Sequence, residues 1–251
     1  MFRFFRQLRH KLLTENRFSK YMLYAIGEIV LVVIGILIAL EINNWNQQRI
    51  LQADQKKVLL NLYEEFMLNR NLLDASIANN RKTVNSNIFL FSLMGADRQE
   101  LKKTNIDSLL SSIFIADEFI PSVNSVQDIL QSGRLNLLDD QELSNLLSNW
   151  INIIAIYEDR DKTLDDWTYN HTITYLNKYI SFKQVDLYGN YDWAGESKLK
   201  KDYYSLFQEL EFENIIESQV FFTSECLNRL QQADSILEKL IEKTKPANKR
   251  I

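Results

Sequence analysis

Apolar residues recur at helical spacing along most of this chain. Residues 21–40 form a nearly unbroken apolar run in which Glu28 is the only charged residue. Beyond that run, apolar residues recur three and four positions apart, which predicts amphipathic helices. The few Gly and Pro residues separate the expected helices, which cover about residues 43–94, 106–116 and 122–131, the stretch after Asp139 to about residue 181, and about residues 200–243.

Each long helix carries a stripe of mostly apolar residues that is expected to face the core. The stripe of the first helix comprises Val58, Leu62, Phe66, Leu73, Ile77, Val84, Ile88 and Phe91. The third helix, for which Asp139 and Glu142 predict a capping box, has Leu143, Leu147, Trp150, Ile154, Tyr157, Leu164, Thr168, His171, Tyr175 and Tyr179. The fourth helix has Leu210, Ile216, Val220, Leu227, Leu230, Leu237 and Ile241. The pattern predicts an all-α fold with an N-terminal transmembrane helix, followed by an elongated antiparallel, four-helix-like bundle.

The composition agrees with this class of fold. Hydrophobic residues make up 46% of the 251 residues and aromatic residues 12%, which excludes an intrinsically disordered chain. Only 6 Gly and 2 Pro are present, too few for the many turns of a β-sandwich or barrel. The single cysteine, Cys226, rules out an intrachain disulfide and is expected to be a small buried residue.

The charge around the apolar run predicts a membrane orientation. Residues 1–20 contain six basic residues and one acidic residue. A helix over residues 21–40 is about 30 Å long, which matches the hydrocarbon core of a bilayer. Tyr21 and Tyr24 are expected at one membrane interface and Trp45 at the other. The basic residues favour a cytoplasmic N-terminus, with the bulk of the chain in the periplasm and the span in the cytoplasmic (inner) membrane.

The expected organisation has four parts. They are a basic cytoplasmic arm over 1–20, the transmembrane helix over 21–42, the extracytoplasmic bundle over 43–245 and a basic tail over 246–251. A cleavable signal peptide is the main alternative for the span, but no small-x-small cleavage site follows it. A buried helix of a soluble protein fits poorly with the abrupt step from basic to apolar residues.

The basic arm has an amphipathic pattern of its own. Its apolar residues Phe2, Phe5, Leu8 and Leu12 alternate with Arg3, Arg6, Arg9 and Lys11. A short helix with this pattern suits the headgroup layer of an anionic leaflet, so the lipid bilayer is one expected partner.

The first fifty residues resemble a known family. The motif Asn16-Arg17-Phe18-Ser19-Lys20-Tyr21, the span YAIGEIVLVVIGILIAL and the exit Asn43-Asn44-Trp45-Asn46 are similar to the opening of an uncharacterised family of single-pass membrane proteins from Gram-negative bacteria. Residues 132–137 (SGRLNL) resemble a later element of that family. The resemblance implies a membrane location and a helical exterior domain, and it implies no assigned activity.

The span contains a candidate surface for self-association. Gly27, Gly35 and Ala39 lie close to one face of the expected helix, with Glu28 beside them. Small residues allow two helices to approach closely, and a carboxyl group can form a hydrogen bond across the contact. The alternatives for Glu28 are a tolerated protonated acid near the headgroups and, less favoured, a proton relay.

No catalytic or cofactor-binding motif is recognisable. Neither His10 nor His171 has the further ligands that a zinc site needs, and His171 is expected to be a hydrogen-bonded core residue. The loop over 186–193 combines oxygen ligands with aromatic residues around a glycine, and its candidate ligand or partner residues are Asp186, Tyr188, Tyr191, Asp192 and Trp193. A plain connection between the third and fourth helices is the alternative for this loop.

These observations predict a non-enzymatic, single-pass envelope protein that serves as an interaction, scaffold or accessory subunit, with no cofactor or metal. Its expected partner is an unidentified protein or a second copy of the chain. The net negative charge of the region beyond the span disfavours nucleic acid. The alternative function is an extracytoplasmic ligand-sensing bundle that signals through a partner.

Overall fold

A computed structural model describes residues 18–114, 118–189, 191–199 and 202–246. Every regular element within these ranges is helical, which confirms the all-α class. The helices are α1 (Phe18–Ser92), α2 (Arg98–Leu101), α3 (Ile106–Ser112), α4 (Asn124–Gln131), α5 (Gln141–Trp167), α6 (Thr174–Leu176), α7 (Phe182–Val185) and α8 (Leu210–Thr244). Short 3-10 turns occur at Arg134–Leu137, Asp186–Tyr188 and Leu206–Gln208, and a π-helical turn at Thr168–Ile173 joins α5 to α6.

Residue contacts divide the chain into two compact units, with the division between Lys57 and Val58. In the first unit, α1 has an 18-residue stretch with a mean hydropathy of 2.6, none of which is buried. By length and composition, α1 can therefore cross a membrane. The predicted membrane-surface residues Arg3, Arg6, Arg9 and Lys11 lie outside the described residues, as does the side chain of Tyr21.

The second unit contains a bundle made by the part of α1 from Val58 onward, α5 and α8. Asn87 of α1 donates a hydrogen bond to Thr223 of α8 at 3.1 Å, while Arg70 earlier in α1 pairs with Asp234 later in α8. The two helices are therefore antiparallel. Helix α5 is also antiparallel to α8, because Asp140 before α5 pairs with Lys243 near the end of α8, and Trp167 at the end of α5 contacts Ile215.

The fourth position of the bundle is only partly helical. The segment from Phe119 to α4 lies against α1 and α5: the Phe119 amide donates to the Tyr157 hydroxyl at 3.1 Å, and the Ser125 amide donates to the Glu65 carboxylate at 2.8 Å. The antiparallel, four-helix-like prediction is thereby confirmed for the second unit. The segment from Phe119 to α4 takes the place of one long helix.

Core positions follow a seven-residue repeat in the long helices. In α1 the buried series are Leu62, Asn69, Ser76, Thr83 and Leu90, and Phe66, Leu73, Asn80 and Asn87. In α8 they are Phe212, Gln219, Cys226, Ala233 and Leu240, and Ile216, Thr223, Leu230, Leu237 and Thr244. Spacings of three and four keep both series on one face and allow the side chains of neighbouring helices to interdigitate.

The predicted stripe of α1 is wrong near the end of the helix. Ile88 and Phe91 are exposed by 49% and 37%, whereas Asn87 and Leu90 are buried. The seven-residue spacing from Phe66 carries Asn87 into the core, where its amide nitrogen donates a hydrogen bond to Thr223.

The core consists of two apolar clusters with a polar layer between them. One cluster includes Phe66, Trp150 and Leu230, and the other includes Leu90, Tyr175 and Phe212. The polar layer is defined by the buried residues Asn80, Thr83 and Asn87 from α1, Thr172 from the π-helical turn, and Gln219 and Thr223 from α8, together with half-buried Thr168 from the same turn.

The π-helical turn changes which residues after Trp167 face the core. Thr172 is fully buried, while His171 is exposed and stacks on Trp167 at a ring-centroid distance of 4.1 Å. The expectation that His171 is a core residue is therefore wrong. The extra residue in the wide turn shifts the buried positions by one residue, so that Thr172 takes the core position.

Candidate functional site

The candidate association residues of the span all lie on exposed surface of the first unit. Gly27, Glu28, Gly35 and Ala39 are exposed. No described atom lies within 4 Å of where a Cβ atom would stand at Gly27 or Gly35, so a second helix has room to approach them closely.

Trp45 marks the end of the apolar part of α1. Its side chain is 62% exposed, and the Arg49 guanidinium lies 5.5 Å from the centre of its ring. An aromatic ring beside a cation at this position is typical of a membrane interface. Tyr24, expected at the opposite interface, is half-buried.

The predicted ligand or partner loop follows α7, and of its residues Asn190 lies outside the described structure. Asp186 begins a 3-10 turn and its carbonyl accepts a hydrogen bond from Gly189 at 3.0 Å. The Ala194 amide donates to Tyr191 at 3.1 Å, and the Gly195 amide donates to Lys183 at 3.3 Å. The first two hydrogen bonds form turns in and at the end of the loop, and the third joins Gly195, just after the loop, to α7.

The loop exposes three aromatic side chains, Tyr188, Tyr191 and Trp193, which we call the aromatic surface. They are exposed by 45%, 50% and 71%, and the rings of Tyr191 and Trp193 stack with centroids 4.7 Å apart. Other aromatic side chains, such as Tyr169 and Phe221, are also exposed, but the aromatic surface combines three of them on one loop. Exposed aromatic residues are frequent at the centres of protein interfaces.

Contacts beneath the aromatic surface fix its geometry. The Tyr188 hydroxyl accepts a hydrogen bond from the Asn105 side chain at 2.8 Å. A Cβ atom at Gly189 would lie 2.8 Å from the Tyr191 ring, so the glycine allows this ring to pack directly against the backbone. The two tyrosines are thus positioned by the α2–α3 connection and by the glycine in their own loop.

The candidate acidic residues of the loop do not form a metal site. Asp192 is exposed and Asp186 is half-buried. Within the described ranges, no group of three or more His, Cys, Asp or Glu residues is arranged to hold a metal ion. The aromatic residues, rather than the carboxylates, are the notable feature of this loop.

A cleft of about 330 Å³ lies near Asn105. It is lined by Arg98, Leu101, Lys102, Thr104, Asn105, Ile106, Asp107, Asp202, Tyr203 and Tyr204. Arg98 pairs with Asp202 and lies 4.2 Å from the Tyr204 ring centre, while the Tyr203 hydroxyl donates to Asp107. The charges of Arg98 and Asp202 therefore neutralise each other. The contacts of Asp202 and Tyr203 attach the connection before α8 to α2 and α3.

Ionisable groups in this cleft have shifted pKa values. Hydrogen bonding from the Tyr204 amide and from Arg98 lowers the pKa of Asp202. Burial, and then the hydrogen bond to Asp107, raises the pKa of Tyr203. Both residues therefore keep their usual charge states at neutral pH, and their contacts are structural.

Cys226 is not a reactive thiol. Its side chain is fully buried among the apolar residues of the first cluster, and burial raises its pKa to about 12. The expectation of a small buried residue is confirmed.

The polar layer is a candidate site that was not predicted from apolar periodicity. Gln219 connects its two sides: its amide nitrogen donates to the Thr168 hydroxyl at 2.9 Å, and its amide oxygen accepts from Thr172 at 3.0 Å. The sequence does contain a signal for this layer: in both α1 and α8, consecutive core positions at the same height in the bundle are occupied by polar residues. It appears only when the seven-residue spacing is continued through Asn80, Asn87 and Thr223.

Comparison with known proteins gives no further assignment: no family model, curated protein or solved structure matches this chain.

Proposed function

We propose that this protein is a single-pass, membrane-anchored helical protein of the bacterial envelope that binds another protein through its aromatic surface. The observation that carries the proposal is the exposed, stacked pair of Tyr191 and Trp193 on a hydrogen-bonded loop. A preorganised aromatic pair binds without a large loss of side-chain entropy, because its side chains are already held in one arrangement.

In this proposal the protein is a scaffold or accessory subunit rather than an enzyme. The apolar part of α1 is its anchor in the cytoplasmic membrane, the N-terminus is cytoplasmic, and residues 43–245 are periplasmic. The apolar stretch of α1 and the basic residues before it support this topology.

Co-purification tests the function. The tagged full chain is extracted gently at its native expression level, and the mass and composition of the complex are determined for the wild type and for Trp193→Ala. Phe221→Ala is the matched control, because Phe221 is 56% exposed on α8, away from the loop. We expect a second protein in stoichiometric amount, at least tenfold depleted by Trp193→Ala and retained by Phe221→Ala.

Two results would contradict this proposal. One is retention of the second protein by Trp193→Ala at the wild-type level. The other is a mass that corresponds to one chain of 29.6 kDa with nothing bound. A homo-oligomer that Trp193→Ala dissociates would make a second copy of the chain the partner of the same surface.

Cysteine labelling tests the topology. Cys226 is buried and its thiol has a raised pKa, so the wild-type chain provides an unreactive background. We expect Glu196→Cys, at an exposed position, to react with a membrane-impermeant maleimide when only the outer membrane is permeabilised. Thr14→Cys should react only after the inner membrane is broken, and the reverse pattern would contradict the proposed orientation.

A further inference from the structure

Residues 118–131, which pack against α1 and α5, form a segment that we call the strap. Residues 118–123 have no regular secondary structure, and the eight residues of α4 follow them. The strap places three apolar side chains in the core, those of Phe119, Val126 and Ile129. Its position in the bundle therefore depends on contacts with other helices rather than on a long helix of its own.

Phe119 anchors the strap in the aromatic part of the core. Its side chain is buried, and the centre of its ring lies 6.4 Å from that of Trp150 and 6.1 Å from that of Tyr157. Trp150 also contacts Phe66 of α1 at a ring-centroid distance of 6.3 Å. Detachment of the strap would therefore expose large aromatic side chains of the bundle to water.

The backbone of the strap is held by side chains of the neighbouring helices. A segment with little helical hydrogen bonding of its own opens at a lower free-energy cost than the long helices around it. Three amides of the strap donate to such side chains: Phe119 to the Tyr157 hydroxyl at 3.1 Å, Ser122 to the Asn69 oxygen at 2.8 Å and Ser125 to the Glu65 carboxylate at 2.8 Å.

The Glu65 attachment leaves one buried oxygen unsatisfied. Glu65 is only 7% exposed, and one of its carboxylate oxygens accepts hydrogen bonds from the Ser125 amide and the Ser122 hydroxyl. The other oxygen is buried and has no hydrogen-bond partner in the described structure. This destabilises the closed strap relative to an open one, because opening allows water to hydrate the carboxylate.

Tyr157 connects the strap to a second carboxylate, that of Asp161. Its hydroxyl accepts the hydrogen bond from the Phe119 amide and donates one to Asp161 at 3.3 Å. Because Glu118 belongs to the strap, opening separates its negative charge from that of Asp161. The titratable and charged groups that act on Asp161 are Tyr157 and Asp165 of α5, Glu118 of the strap and Cys226 of α8.

These surroundings make closure of the strap dependent on pH. Burial, then the charge of Asp165 and lastly that of Glu118 raise the pKa of Asp161 from 3.8 to about 6. Opening of the strap removes Glu118 and part of the burial, so the pKa falls back toward its ordinary value. The closed strap therefore binds the Asp161 proton more tightly than the open strap does. This contribution to closure is fully present below about pH 4 and is lost as the pH rises to about 6.

We propose that the strap opens while α1, α5 and α8 remain packed, and that ionisation of Asp161 favours the open state. Opening withdraws Phe119 from the core, so the strap regulates by pH how much apolar surface the second unit exposes. This device is independent of the aromatic surface and of its partner.

Hydrogen exchange of the full chain in detergent, resolved to single amides by mass spectrometry, tests whether the opening is local. The amides of Phe119, Ser122 and Ser125 are compared with those of residues 226–237 in α8 at increasing, sub-denaturing urea concentrations. We expect at least tenfold lower protection in the strap, with little dependence on urea, because a local opening exposes little surface. Equal protection of both regions, falling in parallel with urea, would show that the strap opens only on global unfolding and would overturn the proposal.

Exchange at pH 4.5 and pH 7, corrected for the intrinsic rate at each pH, tests the role of Asp161. We expect protection of the three strap amides to fall about tenfold from pH 4.5 to pH 7. This is less than the full pKa difference would give, because Asp161 is half-buried and Asp165 stays beside it. Asp161→Asn should keep the acid level of protection at pH 7, whereas the control Asp166→Asn, exposed on the same helix, should behave like the wild type. Protection that does not change with pH in the wild type, or that falls equally in Asp161→Asn, would refute the proposal.

Discussion

Asn69 and Ser122 are joined by two reciprocal hydrogen bonds. The Asn69 side-chain amide donates to the Ser122 carbonyl at 2.7 Å, and the Ser122 backbone amide donates to the Asn69 side-chain oxygen at 2.8 Å. A single core side chain of α1 therefore satisfies the backbone of the segment before α4. Because this segment has few helical hydrogen bonds of its own, Asn69 fixes where it packs on the bundle.

Asn69→Ala should destabilise the second unit by about 2–4 kcal/mol, because it leaves two partly buried backbone groups without partners. Asn71→Ala, at an exposed position two residues later, should change the free energy of unfolding by less than about 0.5 kcal/mol. Urea unfolding of the detergent-solubilised full chain, followed by the fluorescence of tryptophan, measures both. Equal stabilities of the two variants would show that Asn69 does not fix the segment.

Asp161→Asn should make the stability of the bundle less dependent on pH. The Asp161 carboxylate accepts a hydrogen bond from Tyr157 at 3.3 Å, and its pKa is raised from 3.8 to about 6, chiefly by burial. The native state binds this proton more tightly than the unfolded state, so wild-type stability falls as the pH rises from about 4 to about 6. Asparagine keeps the acceptor and removes the charge.

The free energy of unfolding of Asp161→Asn should therefore equal that of the wild type below pH 4 and exceed it above pH 6. Because Asp161 is only half-buried, solvent screening reduces the expected gain to about 1 kcal/mol. Unfolding curves at pH 4 and pH 7.5 measure the difference, with Asp166→Asn as the exposed control. A variant that is less stable than the wild type at pH 7.5 would contradict the assigned cause.

The sequence predicts the stripe of α5 well, where the core is apolar, whereas Leu210 of the stripe predicted for the last helix is 69% exposed. In α5 the expected residues from Leu143 to Leu164 are buried, because apolar burial alone decides their orientation. Prediction fails where polar groups enter the core: the buried residues are Asn87 rather than the predicted Ile88, and Thr172 rather than the predicted His171. A π-helical turn and a pairing across helices depend on contacts between distant residues, which apolar spacing does not encode.

The start of the last helix also differs from its prediction. The expected helix begins at about residue 200, whereas α8 begins at Leu210, after a 3-10 turn. Tertiary contacts of Asp202 and Tyr203 with Arg98 and Asp107 hold this segment outside a helix. The aromatic loop, in contrast, was predictable, since its polar and aromatic residues around Gly189 indicate an exposed connection.

Asp140→Ala should destabilise the start of α5, whereas Asp139→Gly should not. The predicted capping residue, Asp139, instead has a φ of +49°, and the Asp140 carboxylate accepts the hydrogen bond from the Leu143 amide at 3.0 Å. Loss of this cap costs about 1 kcal/mol. Glycine at residue 139 relieves the left-handed backbone, so its stability should equal or exceed that of the wild type.

The effect of Asp140→Ala should also depend on pH. The Leu143 amide and then Lys243 lower the pKa of Asp140 below 3.8, so its contribution is fully present above that pH and is lost as the pH falls further. Thermal unfolding at pH 7 and pH 2.5 should show a difference between Asp140→Ala and wild type that narrows in acid. A constant difference would mean that the charge is irrelevant to the cap.

Glu28→Leu should weaken self-association of the membrane helix, and Glu28→Gln should preserve it. Glu28 is exposed beside Gly27, where a second helix has room to approach, and a protonated carboxyl or a carboxamide can form the same hydrogen bond across such a contact. One such bond contributes about 1–2 kcal/mol, which corresponds to a roughly 5- to 30-fold change in the dimerisation constant. Crosslinking of the full chain in lipid bilayers at several protein-to-lipid ratios measures this constant. Since leucine keeps the helix apolar and long enough to span, equal constants for the two variants would exclude Glu28 from the contact and leave the glycine face to be tested by Gly35→Leu.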